Sequence, residues 1–153
     1  PRSTQGVSSA ASDVYKRQEA SPGIRNALDK ATSLVFCPSN PYLSLGPILA
    51  LPTIRQSIKD FPGKRICVSP IVGGDAVKGP AGKIMAELGK EVSSVEIARE
   101  YQDICDVLVI DWQDKYLATE IEGMGIIPLV TSTIMETEED KIALASEILT
   151  LVI

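Results

Sequence analysis

Four short runs dominated by apolar, often β-branched residues constrain this chain most: SLVFC (33–37), RICVS (65–69), DVLVI (106–110) and IIPLV (126–130). Each is continuous, not alternating. A strand with one wet face alternates apolar and polar residues, whereas a continuous run belongs to a strand covered on both faces. Between and around these runs the sequence takes helical period, at 21–31, 51–61, 79–89, 94–104, 111–125 and 137–149. That alternation predicts an α/β fold: an open, mainly parallel sheet with helices on both faces, a Rossmann-like three-layer arrangement. Local signals agree with it. Ser21 precedes Pro22 as N-cap and first helical residue. Pro80 opens the 79–89 segment and Gly89 closes it, and Ser94 suits the N-cap of the next helix. Thr137 and Asp140 form a capping-box pattern, with Glu138 and Glu139 suited to the helix dipole. Four strands form only a half-sheet with an edge for further chain to cover, so 19–153 reads as a partial domain.

The first stretch, PRSTQGVSSAASDVYKRQ (1–18), has few large apolar residues, no periodicity and much Ser and Ala. It looks like a translated adapter leader and is read as non-native or disordered. The whole chain, at 153 residues, suffices for one core but not comfortably for two. A net charge of −5 argues against a nucleic-acid partner. Histidine is absent, which removes Ser-His-Asp and Cys-His catalysis and histidine metal sites. Cys37, Cys67 and Cys105 form no CxxC pair; each borders an apolar run, so they are expected as small buried side chains in a reducing cytoplasm. The longest uncharged apolar stretch, LGPILALPTI (45–54), holds two prolines and falls short of the ~18 residues of a membrane span. No membrane association and no secretory address are expected.

Ligands of open α/β sheets sit beyond the carboxyl ends of the strands. The loop after the first strand, PSNPYLSLGP (38–47), offers Ser39, Asn40 and Ser44; these residue types also suit simple Asx or Ser turns. The loop after the second, SPIVGGDAVKGP (69–80), joins Gly73 and Gly74 to Lys78, just ahead of a helix start. Glycine amides, a cation and a helix N-terminus could cradle an anion. The pattern matches neither GxxxxGK[ST] nor GxGxxG, and a mobile turn with Lys78 in solvent fits it equally. Asp111 and Asp114 lie beyond the third strand, where carboxylates hold Mg²⁺ or, more commonly, cap a helix. Trp112 and Tyr116 could stack on a ring, although core packing is the default, and Ile84, Met85 and Leu88 are expected in the core.

CPSNPYLSLGPILALP (37–52), VSPIVGGDAVKGPAGKIMAELG (68–89), CDVLVID (105–111) and TSTIM (131–135) together resemble the 2-phospho-L-lactate transferase family of coenzyme F-420 biosynthesis, from about Pro22 onward. The resemblance implies a transferase. It would move a phospholactyl or phosphoenolpyruvyl group from a guanosine-diphosphate-linked donor to the deazaflavin Fo, releasing GMP with Mg²⁺ assisting. Ser39, Asn40, Ser44, Gly73, Gly74 and Lys78 become the candidate substrate and nucleotide contacts. The family's glycine-rich first turn and its metal-binding aspartate fall upstream of this chain, so no catalytic or metal residue is assigned within it. The resemblance also suggests a homodimer. A second reading is a non-catalytic, nucleotide-sugar-binding regulator of a related α/β family.

Overall fold

The computed structural model describes residues 20–152, so the leader expected over 1–18 lies outside the described residues. The first half runs α1 (Pro22–Lys30), β1 (Ser33–Phe36), a π-helical turn (Pro41–Leu45), α2 (Gly46–Leu49), α3 (Pro52–Lys59) and β2 (Lys64–Val68). A small hairpin of β3 (Ile71–Val72) and β4 (Asp75–Ala76) follows, then α4 (Ala81–Glu87) and α5 (Ser94–Tyr101). The chain continues through β5 (Val107–Asp111), a 3₁₀ turn (Trp112–Leu117), α6 (Ala118–Gly123), β6 (Ile127–Thr131) and α7 (Glu138–Thr150). The main sheet has the order β1-β2-β5-β6, and every pairing in it is parallel.

Alternation along the central strands divides the core into two layers, because successive side chains of a strand point to opposite faces. Cys67, Leu108 and Ile110 pack with Ile54 and Ile58 of α3, Met85 of α4, Ile97 and Ala98 of α5, and Ile121 of α6. Ile66, Val68, Val107 and Val109 pack on the other face with Leu144 and Ile148 of α7. Helices therefore cover both faces of the central strands β2 and β5, whereas Val35 of β1 and Ile127 of β6 stay exposed at the sheet's two edges.

Several local expectations shift. Ser93, not Ser94, caps α5: its backbone is extended at φ −152° and its hydroxyl accepts from the Glu96 N–H at 3.2 Å. Ser94 is fully buried, facing the hairpin instead. The 111–125 segment divides into a 3₁₀ turn and α6, because the Asp111 carboxylate caps the turn through Gln113 N–H. Trp112 and Tyr116 stay exposed on that turn, at 57% and 71%. Leu88 is also exposed, since it is the C-cap of a short helix that buries Met85. Cys37 lies exposed beyond the end of β1, whereas Cys67 and Cys105 are buried. The neighbouring Cys105 thiol, together with burial, pushes Cys67 well above the ordinary thiol range. The 137–149 helix is opened by the full capping box of Thr137 and Asp140.

Two arginine–aspartate pairs tie β2 and α3 to the loop that leads into β5. Arg65 Nε donates to Asp106 Oδ2 at 3.0 Å and Nη2 to Oδ1 at 2.5 Å, while the Arg65 N–H adds a bond of 2.9 Å. Arg55 of α3 makes the same fork on Asp103. Hydrogen bonds from Arg65 hold Asp106 below the ordinary carboxylate range; at Asp103 burial works upward but the Arg55 bonds outweigh it. A depressed folded pKa stabilises above the ordinary aspartate value, about 4, and that stability is lost as pH falls through the lower folded value. The urea midpoint is thus expected to drop on acidification below about pH 4. Asp106→Asn should flatten that acid slope; an unchanged slope would show that this pair does not carry it.

Candidate functional site

Because β1 and β2 are parallel neighbours, with Phe36 opposite Cys67, the chain leaves both strands at the same end of the sheet. β5 and β6 end beside them, with Asp111 opposite Thr131. Three of the four following loops enclose a cavity of about 130 Å³. Pro38 and Asn40 come from the β1 loop, Ser69, Pro70, Val77 and Lys78 from the β2 loop, and Thr133 and Met135 from the chain after β6. A larger open groove of about 900 Å³ between α1 and α3 lies near the amino ends of β1 and β2 and shares none of these residues.

Asn40 is the best-defined group in the cavity. Its Oδ1 accepts from the backbone N–H groups of Tyr42 and Leu43, each at 2.9 Å, which caps the π-helical turn. Two donors converging on one atom identify that atom as the oxygen and fix the amide's orientation. Its other end, Nδ2, is buried and has no hydrogen-bond partner. A buried donor left unpaired costs about 1–3 kcal/mol, so such a group in a cavity wall marks a place for an acceptor. Lys78, exposed at the cavity, makes no ion pair with the described residues. Asn40, whose Nδ2 is unpaired, and Lys78, which makes no ion pair with the described residues, thus both line one small, partly apolar hollow. The hollow is far smaller than the roughly 300 Å³ that encloses a whole drug-sized ligand, and its size suits one phosphate-bearing end.

The other sequence candidates divide. Ser39 is half-buried beside Asn40 without lining the cavity, and Ser44 is exposed within the π-helical turn. Gly73 and Gly74 adopt positive φ, at 60° and 81°, in the turn of the β3–β4 hairpin, which only glycine enters cheaply. Neither lines the cavity, and the Gly73 N–H is already engaged: both Asp114 oxygens accept from it at 3.1 Å. α4, whose start was expected behind Lys78, contributes no residue to the lining.

Asp111 and Asp114 both have structural partners. Asp111 Oδ2 accepts from the Thr133 N–H at 2.9 Å and hydroxyl at 3.2 Å, fixing the loop after β6 at the cavity; Oδ1 accepts from Gln113. Burial works to raise its pKa, but these hydrogen bonds outweigh it and hold the carboxyl below the usual range. Burial pushes Asp114 above that range, against the Gly73 and Ser94 bonds that work downward. The oxygens of both carboxylates face N–H and O–H donors, and the described residues hold no group of three or more acids or thiols placed to share a metal ion.

Ser69, Thr133 and Met135 escaped the residue-by-residue reading. Thr133 and Met135 were legible in principle, since they follow the end of a fourth strand by the same rule that selected Asn40 and Lys78.

The strand order and the loops gathered above its carboxyl edge define an open, parallel α/β domain. Comparison with known proteins gives the family. The profile of the family described as 2-phospho-L-lactate transferase CofD matches residues 3–143, and the chain belongs to that family. Proteins named 2-phospho-L-lactate transferase are similar to it. That of Methanocaldococcus jannaschii is 47% identical over 123 residues, 80% of this chain and 38% of the relative. Those of Methanosarcina mazei and Methanococcus maripaludis are 39% and 40% identical, over 87% and 86% of this chain and 44% and 41% of theirs. The chain therefore spans about two-fifths of the length of these relatives. The crystal structure of protein BH3568 from Bacillus halodurans has the same fold, with a TM-score of 0.58 at 14% identity, covering 88% of this chain and 48% of that one.

Proposed function

We propose that this chain is the part of a 2-phospho-L-lactate transferase that holds the diphosphate of a guanosine-diphosphate-linked three-carbon acid. The whole protein would pass the phosphoacid group to the terminal ribityl hydroxyl of the deazaflavin Fo. In that step the hydroxyl oxygen bonds to the phosphorus bearing the acid. The bridging P–O bond to GMP breaks, and the hydroxyl proton goes to solvent. Phosphoryl transfer needs little covalent help from protein groups; it needs positioning and neutralisation of charge on the phosphate oxygens. Lys78 would supply charge and Asn40 a directed N–H.

The carrying observation is that Asn40, whose buried Nδ2 has no partner, lines the same cavity as the unpaired Lys78. A phosphate oxygen satisfies the first and neutralises the second. In this reading Mg²⁺ would be held by groups outside the described residues, Fo and the activated acid are the partners, and the enzyme works as a homodimer in the cytoplasm. Among the described residues no helix is long and apolar enough to cross a membrane.

Calorimetry of the chain with GDP, GMP and UDP tests the binding step. GDP is expected to bind, more tightly than GMP because of its second phosphate and more tightly than UDP because of its base. A preference for UDP ligands would favour the nucleotide-sugar-binding regulator instead, and no binding by any of the three would overturn the cavity assignment. With the complete protein, Fo, the activated acid and Mg²⁺ should yield the phosphodiester and GMP; GDP binding without any product would leave only a nucleotide-binding domain.

A further inference from the structure

Behind the cavity wall lies a polar cluster sealed from solvent. Ser69, Ser94 and Asp114 are each about 1% exposed or less. Ser69 Oγ lies 2.9 Å from Ser94 Oγ, and Ser94 Oγ lies 3.4 Å from Asp114 Oδ2. Ile71, the first residue of the hairpin, is enclosed by the same groups. Its N–H donates to Ser69 Oγ at 3.1 Å, and its carbonyl accepts from Ser69 at 3.0 Å and from Ser94 at 3.2 Å. At the far tip of the hairpin both Asp114 oxygens receive the Gly73 N–H.

The hairpin is thus fixed at its root by two hydroxyls and at its tip by a carboxylate. Its return strand leads directly to Val77, whose N–H donates to the Pro70 carbonyl at 3.1 Å, and to Lys78. Lys78 has no anchor of its own among the described residues. Its four-carbon stem would otherwise sample many rotamers, and each one frozen on binding costs entropy. Burying a carboxylate is unfavourable unless its bonds are used. Asp114 lies 36 residues beyond Lys78 in sequence and does not line the cavity, so packing alone offers no reason for its charge.

We propose that Asp114 is a positioning residue: by holding the β3–β4 hairpin through Gly73, it sets Lys78 over the phosphate-holding cavity. This rests on the nucleotide reading above, and the test separates the two. GDP affinity is measured by calorimetry for the unsubstituted chain, Asp114→Asn, Lys78→Ala and the double variant, with each one's thermal midpoint recorded alongside. Asparagine keeps the shape and one acceptor oxygen but loses the charge and the second acceptor, so the two-oxygen hold on the Gly73 N–H is weakened. Each single change is expected to weaken GDP by about tenfold, the scale of one charge-assisted bond. The double variant should also lose about tenfold, not about a hundredfold, because Asp114 acts only through Lys78.

A general loosening of the domain would instead add its own loss on top of Lys78→Ala. Independent losses, or full affinity in Asp114→Asn, would overturn the inference while leaving the nucleotide site intact. An unsubstituted chain that binds no GDP would overturn both. Should Asp114→Asn fail to fold, Gly73→Ala breaks the other end of the contact on the exposed tip, where φ is 60° and the added Cβ would stand 3.1 Å from Gln113 Oε1. Its loss of affinity should be equally silent in the Lys78→Ala background.

Discussion

Asn40→Asp is expected to abolish most of the affinity for GDP, by about a hundredfold, while leaving the fold as stable as before. The two halves of the Asn40 side chain have separate tasks. Its oxygen caps the π-helical turn through Tyr42 and Leu43, and aspartate performs that task as well as asparagine. Its nitrogen is buried and unpaired, in a residue that lines the cavity. Aspartate replaces that donor with a second anionic oxygen, which repels a phosphate at close range instead of binding it. A lost charged hydrogen bond and a new repulsion together make about 3 kcal/mol, or roughly a hundredfold. Asn40→Ala gives the complementary result: it loses the cap as well, about 1 kcal/mol of stability, and loses less affinity than aspartate does. Calorimetry with GDP and urea unfolding on the same two variants decide the matter. Aspartate binding GDP as well as asparagine would remove Asn40 Nδ2 from the site.

The largest effect on stability is expected at Leu108. It is fully buried in β5, between β2 and β6, and packs into the larger core layer. Leu108→Ala removes three carbons from a central strand whose neighbours are held by hydrogen bonds on both sides, so the cavity left cannot collapse. The cost should lie near the upper part of the range of about 2.7–5 kcal/mol for such truncations. Ile142→Ala on the exposed side of α7 serves as the control, with an effect within about 0.5 kcal/mol. Urea unfolding measures both. A Leu108→Ala loss no larger than the control would mean that this sheet does not pack as described.

The lines of sight from sequence to structure differ by element. The four sheet strands were legible to within one residue at each end because buried strands write short, continuous, β-branched-rich apolar runs bounded by turn signals. The capping box of α7 was legible because both partners lie within four residues. The π-helical turn, α2 and the β3–β4 hairpin were not. Their segments, PYLSLGPIL and IVGGDA, are too short for periodicity to speak, and Pro and Gly in them signal only that the chain turns. Ser93 and Ser94 show the same limit at a single step: two identical hydroxyls stood in line for one cap, and burial of the second against Ile71 and Asp114 chose between them.

The site divides along the same boundary. From the sequence alone came the parallel sheet, the end of it where sheets of this kind hold ligands, and two loops that carry Asn40 and Lys78 to that end, since strand order in such sheets dictates which loops are neighbours. Only the tertiary structure decided which groups are free. Gly73 N–H is taken by Asp114, Asp111 by Thr133 and Gln113, and Asn40 Nδ2 by nothing. Whether a polar atom is available to a ligand depends on partners tens of residues away, and a one-dimensional pattern carries no record of them.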